Sequence, residues 1–204
     1  MFDRISIKIL GFYTQQMNIC TYNASKIMVK ARFFGQYLYG GDIMKVVLVT
    51  DDYTYTDRGI RICNAVEFFS SQGDFEFIAF DIYKQKMAVS NLHILKVNSY
   101  DSIAKCISYV KHIIGDERFI VIYERYMRYI DLSALLKFHL SSDKGISVCM
   151  LGKTEREFTN CGIFIIENEY LDLIEEGYEP DTDLAIYSAE RCDLGILEYE
   201  EKKN

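Results

Sequence analysis

Tryptophan is absent from this chain and proline occurs once, at Pro180. No Gly/Ser-rich or Pro-rich stretch is present, so there is no linker and no low-complexity segment, and the sequence reads as one compact unit. No apolar run approaches the ~20 residues that a membrane-spanning helix needs. The opening MFDRISIKILGFYTQQ has a short apolar stretch broken by Ser6 and Lys8, without a cleavage-site pattern. Neither a signal peptide nor a membrane partner is expected, and the expected location is cytoplasmic. Excess positive charge is missing as well: 23 Lys and Arg face 30 Asp and Glu, a net charge of −7. A duplex-binding surface carries a basic stripe, so nucleic acid is not an expected partner.

Metal-ligand spacing is also lacking. No Cys-x-x-Cys pair occurs, and His93, His112 and His139 stand far apart in sequence, which speaks against a zinc site. Cys20, Cys63, Cys106, Cys149 and Cys192 recur at a constant interval of 43 residues, yet their flanks share nothing but the cysteine. A true repeat must reproduce a whole packing unit, so the interval is read as coincidence. Reduced thiols acting as small buried hydrophobes fit their apolar and helical surroundings better.

What the chain does have is half its residues hydrophobic over a length of 204, enough for one domain with a proper core. Short apolar runs alternate with helical patterns, the signature of a mainly parallel sheet covered by helices. Strands are expected at 45–50, 75–80, 92–97, 119–123, 146–151 and 161–166, with a further one at 5–10 and a last at 194–199. Their nearly continuous β-branched content suits strands buried on both faces. Helices are expected at 32–40, 57–72, 101–114, 132–140 and 182–190. The second of these would bury Ile60, Cys63, Val66, Phe68 and Phe69. Helix 101–114 carries the stripe Ile103, Ile107, Val110, Ile113, Ile114 and stops at Gly115, while Asp131 is placed to cap 132–140. The domain is expected to span 1–199, with 200–204 a frayed tail.

Three segments resemble the sugar-phosphate nucleotidyltransferase family. Ser25-Lys26-Ile27-Met28-Val29-Lys30 resembles its Pro-Lys-x-Met-x-Pro stretch, FIVIYERYMRYIDLSALLKFH at 119–139 its core strand, turn and helix, and Thr159 to Ile166 its Asn-Ala-Gly strand. The resemblance covers about residues 25 to 199. It implies an α/β fold, a single-domain three-layer sandwich with a mixed, mainly parallel sheet. It also implies that Lys26 would meet phosphate oxygens and Asn160 a sugar.

The family's chemistry is not carried over. Where it has Gly-Asp, with an aspartate that holds magnesium, this chain has Glu124-Arg125. Its glycine-rich triphosphate loop is replaced by Gly11-Phe12-Tyr13-Thr14-Gln15-Gln16-Met17, with one glycine and two bulky rings. Its Gly-Thr-Ala-Gly base pocket corresponds to Ser102, Ile103, Ala104 and Lys105, whose side chains would partly fill it. Between Val148 and Asn160 only a short turn around Leu151 is expected, in place of the family's β-hairpin and its sugar-phosphate lysine, a role Lys153 alone could take. The family's second magnesium aspartate lies in a segment following the position where this sequence ends.

Nucleotidyl transfer needs magnesium to offset charge at the α-phosphate. Taken with these departures, the resemblance implies a catalytically degenerate binding or regulatory subunit with no cofactor, and the resemblance alone implies its place in nucleotide-sugar or polysaccharide metabolism. Its expected partners are a nucleotide or sugar phosphate, a second copy of the chain, or a partner protein. The first alternative is an active transferase with rearranged ligands, using Lys26, Arg125 and Asp51 or Asp52, and with magnesium required in that case only. Asp51-Asp52 follow a strand end, where α/β sheets bind ligands, although a polar loop opening the next helix explains them more simply. The second alternative is an interaction module whose aromatic face, with Tyr123, Tyr126 and Tyr129 foremost, docks a protein without any small ligand.

Overall fold

A computed structural model describes residues 43–49, 55–81, 89–98, 101–123, 130–154 and 157–200. The expected strand at 5–10 and helix at 32–40 lie outside them.

The apolar runs form the strands expected of them: β1 (Met44–Val49), β2 (Phe75–Asp81), β3 (Leu92–Lys96), β4 (Phe119–Tyr123), β5 (Ile146–Thr154), β6 (Glu157–Ile166) and β7 (Leu194–Glu200). They make a single seven-stranded sheet in the order β3-β2-β1-β4-β6-β5-β7. β6 alone runs against its neighbours, pairing antiparallel with β4 and β5, while every other pairing is parallel. The sheet is therefore mixed and mainly parallel. β3 stands at one end of it and is only half-buried, so the expectation of burial on both faces fails there.

Alternation along each strand splits the core in two. Val46, Leu48, Phe77, Ile120, Ile163 and Ile165 face α1 (Tyr55–Ser70) and α4 (Leu132–Ser142). Val47, Val49, Ile78, Val121, Val148 and Phe164 face the other layer, made of α2 (Ile103–Tyr109), α3 (Lys111–Ile114), α5 (Leu171–Glu175) and α6 (Asp183–Glu190). A sheet with helices on both faces is the three-layer α/β sandwich.

Local chemistry sets the helix ends. The Asp131 carboxylate accepts the Ala134 N–H at 3.1 Å, the expected N-cap of α4. Gly115, at φ 74°, closes α3. Two details differ from the sequence reading. The run 101–114 breaks at Val110 (φ −107°, ψ 6°) into α2 and α3, which keeps Ile107, Val110 and Ile114 all buried. In α1 the buried stripe is Ile62, Ala65, Val66 and Phe69, so Cys63 and Phe68 are turned to its margin. Cys63, Cys106, Cys149, Cys161 and Cys192 are reduced, and the middle three are buried. Among the described residues no helix is long and apolar enough to cross a membrane.

Candidate functional site

Six strands end along one edge of the sheet, the edge at which open α/β sheets bind ligands. The last residues of β1 and β4, Val49 and Tyr123, are register partners at that edge. Asp51 and Asp52 follow the first of them in sequence, and Glu124 and Arg125 the second. These four, and Lys26, lie outside the described residues. Tyr123 is 3% exposed and packs edge-on against Phe164 at 6.0 Å, so it belongs to the core and not to a docking face. Tyr126 and Tyr129 are outside the described residues.

Asn160 is in β6 at this same edge. Between the register pairs Val148↔Phe164 and Met150↔Asn160, β5 advances two residues and β6 four, so β6 bulges. Gly162 takes φ 66° within the bulge, and its N–H donates to the Asn160 Oδ1 at 2.7 Å. Bulges re-aim side chains beside functional edges. Here the side-chain acceptor is engaged by the chain's own backbone, which leaves the Nδ2 amide as the group Asn160 can offer a ligand.

The positions matched to the base pocket sit at the start of α2. The Ser102 hydroxyl accepts the Lys105 N–H at 3.2 Å, and Ala104 is fully buried. The Ala104 N–H donates to the Glu179 carboxylate at 3.2 Å, delivered by the loop between α5 and α6. Burial raises the Glu179 pKa; the Ser102 hydroxyl and the Ala104 N–H oppose that shift, while Asp181 and Asp183 add to it. One turn away, the Lys105 ammonium holds the Asp101 carboxyl below its ordinary value, and burial pushes the Cys106 thiol up to about 11. Among the described residues no three His, Cys, Asp or Glu side chains gather into a metal-ligand group.

The short turn expected around Leu151 is replaced by strand. β5 continues to Thr154 and β6 begins at Glu157, with Thr154 and Glu157 paired, so the two form one long hairpin that includes Lys153. Antiparallel strands can close through two residues, and the β-compatible content of both arms lets them extend that far.

The opposite edge holds a polar cluster that sequence reasoning missed. His139, 2% exposed on α4, places Nδ1 2.9 Å from the Ser147 hydroxyl of β5. Its Nε2 is 3.0 Å from the Glu167 carboxylate just past β6, and the Arg118 guanidinium reaches the same carboxylate oxygen at 3.3 Å. Beside it, Asp193 accepts the Gly145 N–H at 2.9 Å and the Tyr170 hydroxyl. A hydroxyl, imidazole and carboxylate in line suggest nucleophilic catalysis. Ser147 is fully buried, however, and no substrate can reach it. The cluster satisfies buried polar groups.

No protein-family model and no curated protein matches this sequence. Solved structures do match in shape. A putative glucose-1-phosphate thymidylyltransferase from Bacillus anthracis superposes with a TM-score of 0.61 at 14% identity, over 78% of this chain and 87% of that one. HddC from Yersinia pseudotuberculosis gives 0.54 at 13% identity, over 77% and 90%. Rv0371c from Mycobacterium tuberculosis, solved in complex with manganese, gives 0.55 at 7% identity, over 78% and 90%. At such identities the likeness is one of architecture, and what it establishes is that this chain has a nucleotidyltransferase-like α/β fold.

Proposed function

We propose that the chain is a diverged, catalytically degenerate relative of the sugar-phosphate nucleotidyltransferases, acting in the cytoplasm as a binding or regulatory subunit in nucleotide-sugar or polysaccharide metabolism. One observation carries the reading: polar groups at the ligand edge are turned inward. The Ala104 N–H is held by Glu179 and the Asn160 Oδ1 by Gly162. In a working transferase such groups would be spent on the ligand, because a preorganised polar group acts on a ligand only when it is free to meet it. The ligand of the subunit is a nucleotide or a sugar phosphate, held by Lys26 and by the free Nδ2 of Asn160, and no metal is required.

A second reading is favoured by the Val49↔Tyr123 pairing, since Asp51 and Asp52 follow one of these adjacent strand ends in sequence and Arg125 follows the other. In that reading the chain is an active transferase, and bound magnesium would supply charge neutralisation at the phosphates.

Calorimetric titration with nucleoside triphosphates and sugar phosphates, with and without magnesium, separates the two. Metal-independent binding that is lost in Lys26→Ala is the expected result. Magnesium-dependent binding with pyrophosphate release would overturn the proposal in favour of the active enzyme. Silence toward every ligand, together with a dimer in light scattering, would instead favour an interaction module.

A further inference from the structure

We propose that His139, Ser147, Glu167 and Arg118 form an acid-sensitive latch that holds the start of β4, the start of β5 and the end of β6 against the end of α4. The four groups come from four places in the fold. His139 is on α4, Ser147 in β5, Glu167 just after β6, and Arg118 just before β4. Each is joined to the next by one of the contacts already given, and the hydroxyl and imidazole at the centre are closed to water.

The geometry works with a neutral imidazole. Its Nε2–H donates to Glu167, and its Nδ1 accepts the Ser147 hydroxyl proton. Protonation turns Nδ1 into a donor, so the Ser147 O–H loses its acceptor in a site where water cannot replace it. It also sets a second cation beside Arg118, with both cations on the same oxygen of Glu167. The titratable groups facing His139 are Glu167, Arg118 and, at the start of β7, Asp193. Desolvation lowers the His139 pKa below its ordinary 6.5, opposed by Glu167 and Asp193 and reinforced by Arg118. A lowered folded value means that the unfolded chain takes up the proton first. The latch therefore contributes fully above about 6.5 and weakens as pH falls through the window below it.

NMR titration of the His139 ring reads the charge. Hydrogen exchange of the Ile146 and Glu167 amides reads the latch, since these N–H groups bond to the Asp193 and Gly145 carbonyls beside it. The expected result is a His139 midpoint below 6.5. In that window the protection of the two amides should fall by up to about tenfold per pH unit, after correction for intrinsic exchange. His139→Gln, which cannot titrate, should flatten that slope. A ring midpoint at or above 6.5 overturns the proposal, as does unchanged protection through the window. The ring titration is made on the unaltered chain, so the test stands even where His139→Gln fails to fold.

Discussion

Replacing Gly145 with alanine tests how closely the amino-terminal edge is packed. Gly145 has no positive φ, so alanine suits its backbone and would by itself stabilise the fold by about 0.4–1 kcal/mol through the unfolded chain. Space decides otherwise. A Cβ there would overlap Cε2 of Tyr170 and Oδ2 of Asp193, and would lie 3.0 Å from Cζ of the same ring. Neither neighbour is free to retreat. Tyr170 is 5% exposed and its hydroxyl donates to Asp193, whose other oxygen already accepts the Gly145 N–H. Overpacking costs about 1–3 kcal/mol, and disturbing a hydrogen bond to a charged group about 1.5–3 more.

Allowing for the entropic gain and for partial relaxation, Gly145→Ala should destabilise by roughly 2–4 kcal/mol, or about 4–16 °C in Tm for a domain of this size. Urea melts of Gly145→Ala, Tyr170→Leu and the double variant check the cause. Shortening Tyr170 opens the space the new methyl needs, so the double variant should fall short of the sum by at least about 1 kcal/mol. Gly177→Ala is the contrast: at φ 101° with nothing within 4 Å, it carries strain without a clash and should not couple to Tyr170. A stable Gly145→Ala, or strictly additive losses, would refute the packing argument.

Further outcomes follow from single contacts. Asp131→Ala removes the cap of α4 and should cost about 1 kcal/mol, read from the urea midpoint. Glu179→Gln keeps an acceptor for the Ala104 N–H but removes a half-buried carboxylate whose folded pKa is raised above 4.5. The folded chain holds that proton longer than the unfolded one, so its contribution falls as pH rises through the window above 4.5; the glutamine variant should match or exceed the parent at pH 7 and lose the advantage near 4.5. A loss of more than about 1 kcal/mol at pH 7 would show instead that the charge is needed at the helix start. Asn160→Ala frees the Gly162 N–H within the bulge and should cost about 0.5–1.5 kcal/mol in thermal melts, with ligand affinity falling alongside.

The strands were legible because burial on both faces leaves an unbroken apolar run, as in FIVIY at Phe119–Tyr123, where all five residues are buried. Helix ends were legible where one side chain acts on the adjacent turn, as Asp131 does. The break at Val110 was not, since the same apolar stripe fits one helix or two and only packing decides. The extent of the β5–β6 hairpin escaped because residues 152–157, a glycine followed by polar side chains, read as a turn and not as strand. His139 was set aside with the other histidines for want of neighbours, yet its partners come from 8 and 28 residues away, a separation that only the topology closes. Of the residues named for the ligand edge, Asn160 falls within the described structure, and the commitment of its oxygen to Gly162 depends on a bulge that no sequence pattern marks.

The persistence of this architecture at 7–14% identity has a physical basis in how the sheet divides its labour. The faces are held by aliphatic and aromatic side chains such as Val46, Val47, Ile120 and Val121, for which hydrophobicity and volume matter more than identity. The ends of the strands contribute little to that core, so residues there can change with small loss of stability. Chemistry at the ligand edge can therefore be rewritten while the scaffold remains. A glutamate accepting at a helix start and an asparagine folded onto its own bulge show how such an edge is held, since each satisfies locally a backbone group that would otherwise need a ligand or water. Architecture and activity are thus separable, and a fold held by the faces of its sheet does not by itself fix the chemistry at its edge.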